Sequence, residues 1–187
     1  MSAAVPKPMA PLRVAVIGAE CTGKTTLCEA LARARGGLWV PESLREFVDR
    51  TGRAPAAHEQ AALMAEQIAR EHAAVDRAAA QALPLVAFDS VPLATALYSR
   101  LYYADDALLA AASAHHSSYD LTLVTLPDLP WEPDGLQRDG PSQRDRFHTL
   151  LMDWMADQRL RHTTVVGRAD ARLQTALAAL ADITAFS

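Results

Sequence analysis

The sequence predicts an α/β domain of three layers, with a five-stranded parallel sheet between two layers of helices. Three observations lead there. Short apolar runs rich in β-branched residues alternate with longer segments whose apolar residues recur at helical spacing. Such alternation implies parallel pairing, because each crossover between parallel strands needs a helix. The chain has 187 residues, 50% of them hydrophobic, which suits one core rather than two.

The elements follow in order. Leu12–Ile17 (LRVAVI) is a buried strand; a Gly-containing turn and the helical pattern TTLCEALARAR follow, stopped by Gly36 and Gly37. Leu38–Val40 is a second short strand, ended by Pro41, and Ser43–Arg50 a short helix closed by Gly52. A long helix over roughly His58–Leu83 carries an apolar face of Leu63, Ile68, Val75 and many alanines, and Pro84 ends it. Leu85–Phe88 is the third strand, ending at Asp89. Ser90 is placed to cap the next helix, with Pro92 in its first turn. Helical segments run through Tyr103 and from Asp105 to about His116, and Leu121–Leu126 is the fourth strand. A stretch rich in Pro, Gly and charge, Pro127–Pro141, interrupts the pattern before a helix over Ser142–Arg161, a fifth strand at Thr163–Val166 and a last helix over Ala169–Ala181. Residues 1–11 read as a flexible Pro-rich tail, and 12–187 as a single domain with a lid over about 127–146.

Composition narrows the class of partner. The net charge of −4 leaves no broad basic footprint for nucleic acid, so anionic ligands must be held by local donors. No apolar run approaches the roughly 18 residues of a membrane span, and MSAAVPKPMAP has no signal-peptide core. Cys21 and Cys28 suggest neither a disulfide framework nor a zinc site, which fits a cytoplasmic protein. Adjacent residues His115 and His116 would point about 100° apart on a helix, an awkward pair for one metal. A homo-oligomer is compatible with the sequence but not specified by it.

The chemistry concentrates at strand ends, where ligands bind in such sheets. Gly18 to Thr25, GAECTGKT, matches G-x-x-x-x-G-K-[ST] between a strand and a helix, the context this motif requires. Its glycines let successive N–H groups curl inward, and with the helix N-terminus they form an anion cradle. The expected nucleotide contacts are Gly18, Glu20, Cys21, Thr22, Gly23, Lys24, Thr25 and Thr26, with Glu20 and Cys21 acting through their backbone. Lys24 can reach the β- and γ-phosphates of ATP, and Thr25 can ligate Mg²⁺. Asp89, just after four apolar residues, has the form of a Walker-B acid that holds Mg²⁺ or accepts a proton from the acceptor hydroxyl. No NKxD motif occurs and the Asp89 segment is not D-x-x-G, which disfavours a GTPase switch.

Glu42, at the exit of the second strand with Arg45 beside it, is a candidate for binding sugar hydroxyls or acting as base. Arg138, Arg144 and Arg146 lie in the lid stretch, with Gly135 and Gly140 for mobility. An arginine brought over a transferring phosphate is worth roughly 10³–10⁵ in rate where it has been measured. Trp131 offers a flat surface on which a ring could stack, with cation–π attraction for a cationic one; it serves equally as a packing anchor. Gly167–Arg172 is the expected adenine edge, with Arg172 the candidate contact.

These residues together resemble a family. GAECTGKTTL, PESLREFVDR, FDSVPLAT, YDLTLVTLPDLPWEPDGLQRD and VVGRADARLQTAL stand in the order seen in ribosylnicotinamide kinase domains, the kinase halves of bifunctional NadR-type NAD-salvage proteins. The resemblance covers nearly the whole chain after about Arg13. It implies a P-loop NTPase fold of the nucleoside and nucleotide kinase type, and ATP-dependent phosphorylation of nicotinamide riboside to the mononucleotide. It puts stacking on the nicotinamide ring at Trp131, Asp134 near the same pocket, and lid phosphate contacts on Arg138 and Arg144. Two departures stand out. The family often carries D-T-D after the third strand, where this chain reads Asp89-Ser90-Val91, and the chain has no room for the adenylyltransferase partner domain. VPES and FDS are also similar to the corresponding signatures of deoxynucleoside kinases, which leaves another nucleoside as acceptor. The missing second acid leaves a regulatory NTP-binding module as a third reading.

Overall fold

The computed structural model describes residues 10–132 and 140–185. Most of the expected N-terminal tail and the middle of the expected lid, with Asp134 and Arg138, lie outside the described residues. Among the described residues five parallel strands form one sheet in the order β2-β3-β1-β4-β5. They are β1 (Leu12–Gly18), β2 (Leu38–Val40), β3 (Leu85–Asp89), β4 (Leu121–Thr125) and β5 (Thr163–Val165). The helices are α1 (Lys24–Arg35), α2 (Ser43–Thr51), α3 (Gln60–Ala80), α4 (Pro92–Tyr103), α5 (Leu109–His116), α6 (Pro141–Asp157) and α7 (Ala169–Ala185).

Side chains alternate across each strand, and the alternation sorts the core into two layers. Val14, Val16, Leu85, Ala87 and Leu123 pack with Leu27 and Leu31 of α1 and Ala176 and Leu180 of α7. Ala15, Ile17, Val86, Phe88 and Val124 pack on the other face with residues of α3, α4, α5 and α6. A strand buried on both faces reads as a continuous apolar run, which is why β1, β3 and β4 stand out in the sequence. β1 sits centrally, with Val16 in register with Asp89 on one side and Gly18 with Thr125 on the other. The loop after β1 therefore emerges between the ends of β3 and β4.

The structure corrects several expected boundaries. The long helix begins as a 3₁₀ turn at Ala57–Glu59 before α3 takes over. Asp105–Leu108 is not helical: Asp105 Oδ1 accepts from the Ala107 N–H at 2.9 Å, and Arg100 Nε and Nη2 donate to Asp106 at 2.6 and 2.8 Å. Both acids favour this tight turn over another helical turn. Ser90 does not cap α4. Its φ is 59°, the cap position is Val91, and no side chain bonds the helix start. α6 stops at Asp157, four residues short of expectation, where the chain turns through Arg159 at φ 52°. α7 runs on to Ala185.

Candidate active site at the strand ends

The phosphate loop is held by packing that its glycines permit. A Cβ at Gly18 would lie 2.2 Å from Thr125 Oγ1 and 2.6 Å from the Thr125 carbonyl oxygen, so only glycine fits beside β4. Gly23 turns into α1 at φ 75°, in the left-handed region that favours glycine. No side chain caps α1, so its first N–H groups face the loop. Thr22 is wholly buried; its hydroxyl donates to the Ala19 carbonyl at 2.7 Å and pairs with Thr125 Oγ1 at 2.7 Å. Thr22 thus braces the loop on β4, and any ligand contact it makes runs through its backbone. Lys24 Nζ donates to the Ala19 carbonyl at 2.9 Å, arching over the hollow of the loop.

The acid expected beside the loop is there. The Thr25 hydroxyl donates to Asp89 Oδ2 at 2.5 Å, while Asp89 Oδ1 is buried with no hydrogen-bond partner. Burial pushes the Asp89 carboxyl above its ordinary range, against the opposing pull of Lys24 and the Thr25 hydroxyl. An orphaned carboxylate oxygen next to a hydroxyl oxygen, at the mouth of an anion cradle, is a donor set that fits Mg²⁺ shared with phosphate. Among the described residues no group of three or more His, Cys, Asp or Glu side chains could hold a metal without such help.

A cavity of about 500 Å³ opens from this loop toward α2, α3 and α4. Lys24, Thr25 and Thr26 line its phosphate end, with Glu20 and Cys21; Glu42 and Arg45 line its flank. Glu42 is half-buried at the start of α2. Burial raises its carboxyl above the usual range, with Lys24 and a hydrogen bond from Ser90 working the other way. Ser90, the residue after Asp89, thus meets the Glu42 carboxyl, while Val91, where the second acid would stand, is buried.

The far wall escaped the sequence reading. It is built from Val48, Leu63, Gln60, Tyr98, Tyr102 and Tyr103. Tyr98 lies between Phe147, at 4.0 Å between ring centroids and 19° between planes, and Tyr102, at 5.9 Å and 14°. Tyr102 and Tyr103 are 42% and 38% exposed, unusual for large aromatics and explained by their place on the cavity wall. The Tyr103 hydroxyl donates to the Pro55 carbonyl at 2.5 Å and joins α4 to the 52–56 loop across the mouth. The only signal in sequence is the Tyr98, Tyr102, Tyr103 spacing, which equally suits ordinary helix packing.

The candidates in the lid stretch fall in different places. Trp131 is not in the cavity wall; its indole N–H donates to Glu20 Oε1 at 2.9 Å on the rim. Cys21, at φ 55°, donates through Sγ to the Pro130 carbonyl at 3.3 Å and accepts from the Glu132 N–H at 3.3 Å. Glu20 and Cys21 therefore use their side chains to hold this segment, a role the backbone-only expectation missed. Arg144 Nη1 donates to the Leu129 carbonyl at 3.0 Å, bracing the same segment from α6. Arg172 departs furthest from expectation. It is 2% exposed, and its guanidinium donates to the carbonyls of Gly167, Val165 and Leu126 and to Asp128 Oδ1. With its donors spent on the ends of β4 and β5, it holds the site's scaffold, and burial lowers its pKa. His115 and His116 bond Glu71 and Thr122, not each other.

The comparisons agree with this architecture. The NadR protein in complex with NR is similar over 96% of this chain and 51% of that one, with 22% identity and a TM-score of 0.76. The NadR protein in complex with NAD and AMP-PNP gives 94%, 50%, 22% and 0.75. Deoxyadenosine kinase from M. mycoides, with products dCMP and dCDP bound, is similar over 91% of this chain and 98% of its own, at 11% identity and a TM-score of 0.57. The chain spans about half the length of the NadR chains. At these identities the likeness is one of fold, that of P-loop kinases. No curated protein matches the sequence. A family model described as an AAA domain matches residues 13–172, most of the chain, and the protein belongs to that family of P-loop domains.

Proposed function

We propose that this chain is an ATP-dependent kinase that transfers the γ-phosphoryl group to the 5′-hydroxyl of nicotinamide riboside, giving the mononucleotide used in NAD salvage. The observation that carries the reading is one cavity with two chemically different ends. A phosphate cradle with Lys24, Thr25 and Asp89 opens directly onto an aromatic chamber flanked by Glu42. The chamber suits a nucleoside, whose flat ring can lie along the Tyr98–Tyr102 face while its ribose turns toward Glu42. The NadR fold that holds NR supports the choice of acceptor.

In this mechanism the loop N–H groups and Lys24 bind the β- and γ-phosphates. Lys24 leaves the Ala19 carbonyl and neutralises charge on the moving phosphoryl group. Thr25 and Asp89 would hold Mg²⁺, which when bound would supply further charge neutralisation for phosphoryl transfer. With Asp89 given to that task, Glu42 takes the hydroxyl proton as the acceptor oxygen bonds to phosphorus and the bond to ADP breaks. Burial raises its pKa, which makes it a stronger base than an exposed carboxylate. The segment 128–132 is clasped to the phosphate loop at the rim of the site, and Arg138, outside the described residues, is the proposed lid contact to the transferring phosphate.

A second reading keeps the mechanism and changes the acceptor. The stacked tyrosines suit any flat base, and the deoxyadenosine kinase fold is also similar. The deciding experiment is a nucleoside panel with MgATP, following mononucleotide and ADP together. Nicotinamide riboside should give the highest kcat/KM. A preference for a deoxynucleoside would replace the acceptor; ATP binding with no nucleoside phosphorylated would replace the kinase by a nucleotide-binding regulatory module.

A further inference from the structure

We infer that Gln67 and Glu71, which do not line the main cavity, are positioning residues for Glu42; the inference rests on the reading of Glu42 as proton acceptor. The first N–H groups of a helix lack intrahelical partners, and the Glu42 side chain does not cap α2. The role falls to a side chain of α3. Gln67 Oε1 accepts from the Ser43 N–H at 3.0 Å and from the Ser43 hydroxyl at 2.7 Å. The residue immediately after Glu42 is thus pinned twice by one amide oxygen.

That oxygen faces Ser43 because the other half of the amide is committed elsewhere. Gln67 Nε2 donates to Glu71 Oε1 at 3.4 Å. Glu71 Oε2 in turn accepts from the Tyr119 hydroxyl at 2.7 Å and bonds His115 Nε2 at 2.8 Å. Ser43, Gln67 and Glu71 are 3%, 3% and 0% exposed, so water cannot substitute for these partners. An ionised carboxylate only accepts. Glu71 therefore draws the amide NH₂ toward itself and leaves the carbonyl for Ser43. Apolar residues would pack α3 against α2 without the cost of burying a carboxylate. What the charge supplies is polarity along a chain of bonds, from α5 and the turn before β4 to the start of α2 where Glu42 projects.

The test compares wild type with Gln67→Leu, Glu71→Gln and the exchanged pair Gln67→Glu/Glu71→Gln. kcat for nicotinamide riboside is expressed per nucleotide-binding molecule, and exchange of the Ser43 amide is followed in parallel. Gln67→Leu should lower kcat roughly 10- to 100-fold, as small misplacements of a reacting group do, with the KM for ATP within about twofold of wild type, and should speed Ser43 exchange at least about tenfold. Glu71→Gln should show a smaller loss. The exchanged pair restores one amide and one carboxylate, with every donor again facing an acceptor, and should recover kcat to within about threefold of wild type. A packing role predicts instead no loss in Glu71→Gln, because the two side chains have the same shape. Unchanged kcat and unchanged Ser43 exchange in Gln67→Leu would overturn the inference; should that variant not fold, a folded but inactive exchanged pair would do the same. Wild type inactive on every nucleoside would instead sink the proposed function, while Ser43 exchange still judges the anchor.

Discussion

The two ends of the cavity are built on opposite principles. The phosphate end is made of backbone: a loop squeezed between β3 and β4, closed by the Thr22–Thr125 hydroxyl pair and by a glycine against Thr125. The acceptor end is made of side chains from α2, α3 and α4 and the loop at 52–56. The first can hold only one kind of group, because its geometry is the geometry of the sheet. The second can change its ligand by changing a few exposed rings, leaving the fold intact. Chemistry common to many acceptors is fixed where variation is costly, and choice of acceptor resides where it is cheap.

That contrast can be broken most severely at the phosphate end. Lys24→Ala should lower phosphoryl transfer by about 10³-fold or more, read as kcat for mononucleotide formation, because it removes the cation held at the hollow of the loop. A loss under tenfold would mean that the loop does not hold the transferring group. Asp89→Asn should cost about 10²-fold and raise the Mg²⁺ concentration needed for half-maximal rate, since an amide is the weaker ligand. At the acceptor end effects should be smaller and selective. Tyr98→Leu should raise the acceptor KM about tenfold, the worth of an aromatic contact, and leave the KM for ATP unchanged. Equal changes in both would show that the two ends are not separable.

The least expected effect is on stability, and it runs opposite to activity. Asp89 and Glu42 both have raised folded-state pKa values, caused first by burial. A carboxyl whose folded pKa lies above its unfolded value favours the fold below the unfolded pKa, and that contribution is lost as pH rises through the folded pKa. Above the unfolded pKa both carboxyls therefore weigh against the nucleotide-free fold. Glu42→Gln and Asp89→Asn should each raise the Tm at pH 7.5, as an approximate working condition, with the gain shrinking as pH is lowered. A Tm that falls in both would show that their hydrogen bonds to Ser90 and Thr25 outweigh the buried charge.

The same contrast decides how much the sequence disclosed. β1, β3 and β4 were legible because burial on both faces leaves unbroken apolar runs, and the phosphate loop because a backbone cradle demands glycines at set intervals. Asp89 followed from its place at the end of such a run. The acceptor wall was not legible. Gln60, Tyr98 and Tyr102 come from three turns of two helices, and nothing in a helical repeat says which ring faces a hollow. Gln67 and Glu71 gave no signal, since a polar side chain of a long helix carries no mark of being buried until its partners from α2, α5 and the turn before β4 are known. Arg172 misled for the same reason: an arginine near a strand end suits a nucleotide and a ring of orphan carbonyls equally well.

The clasp of Glu20 and Cys21 on Pro130–Glu132 gives the phosphate loop a second tenant. If nucleotide binding alters these contacts, linkage requires that whatever holds the strap bears equally on nucleotide affinity.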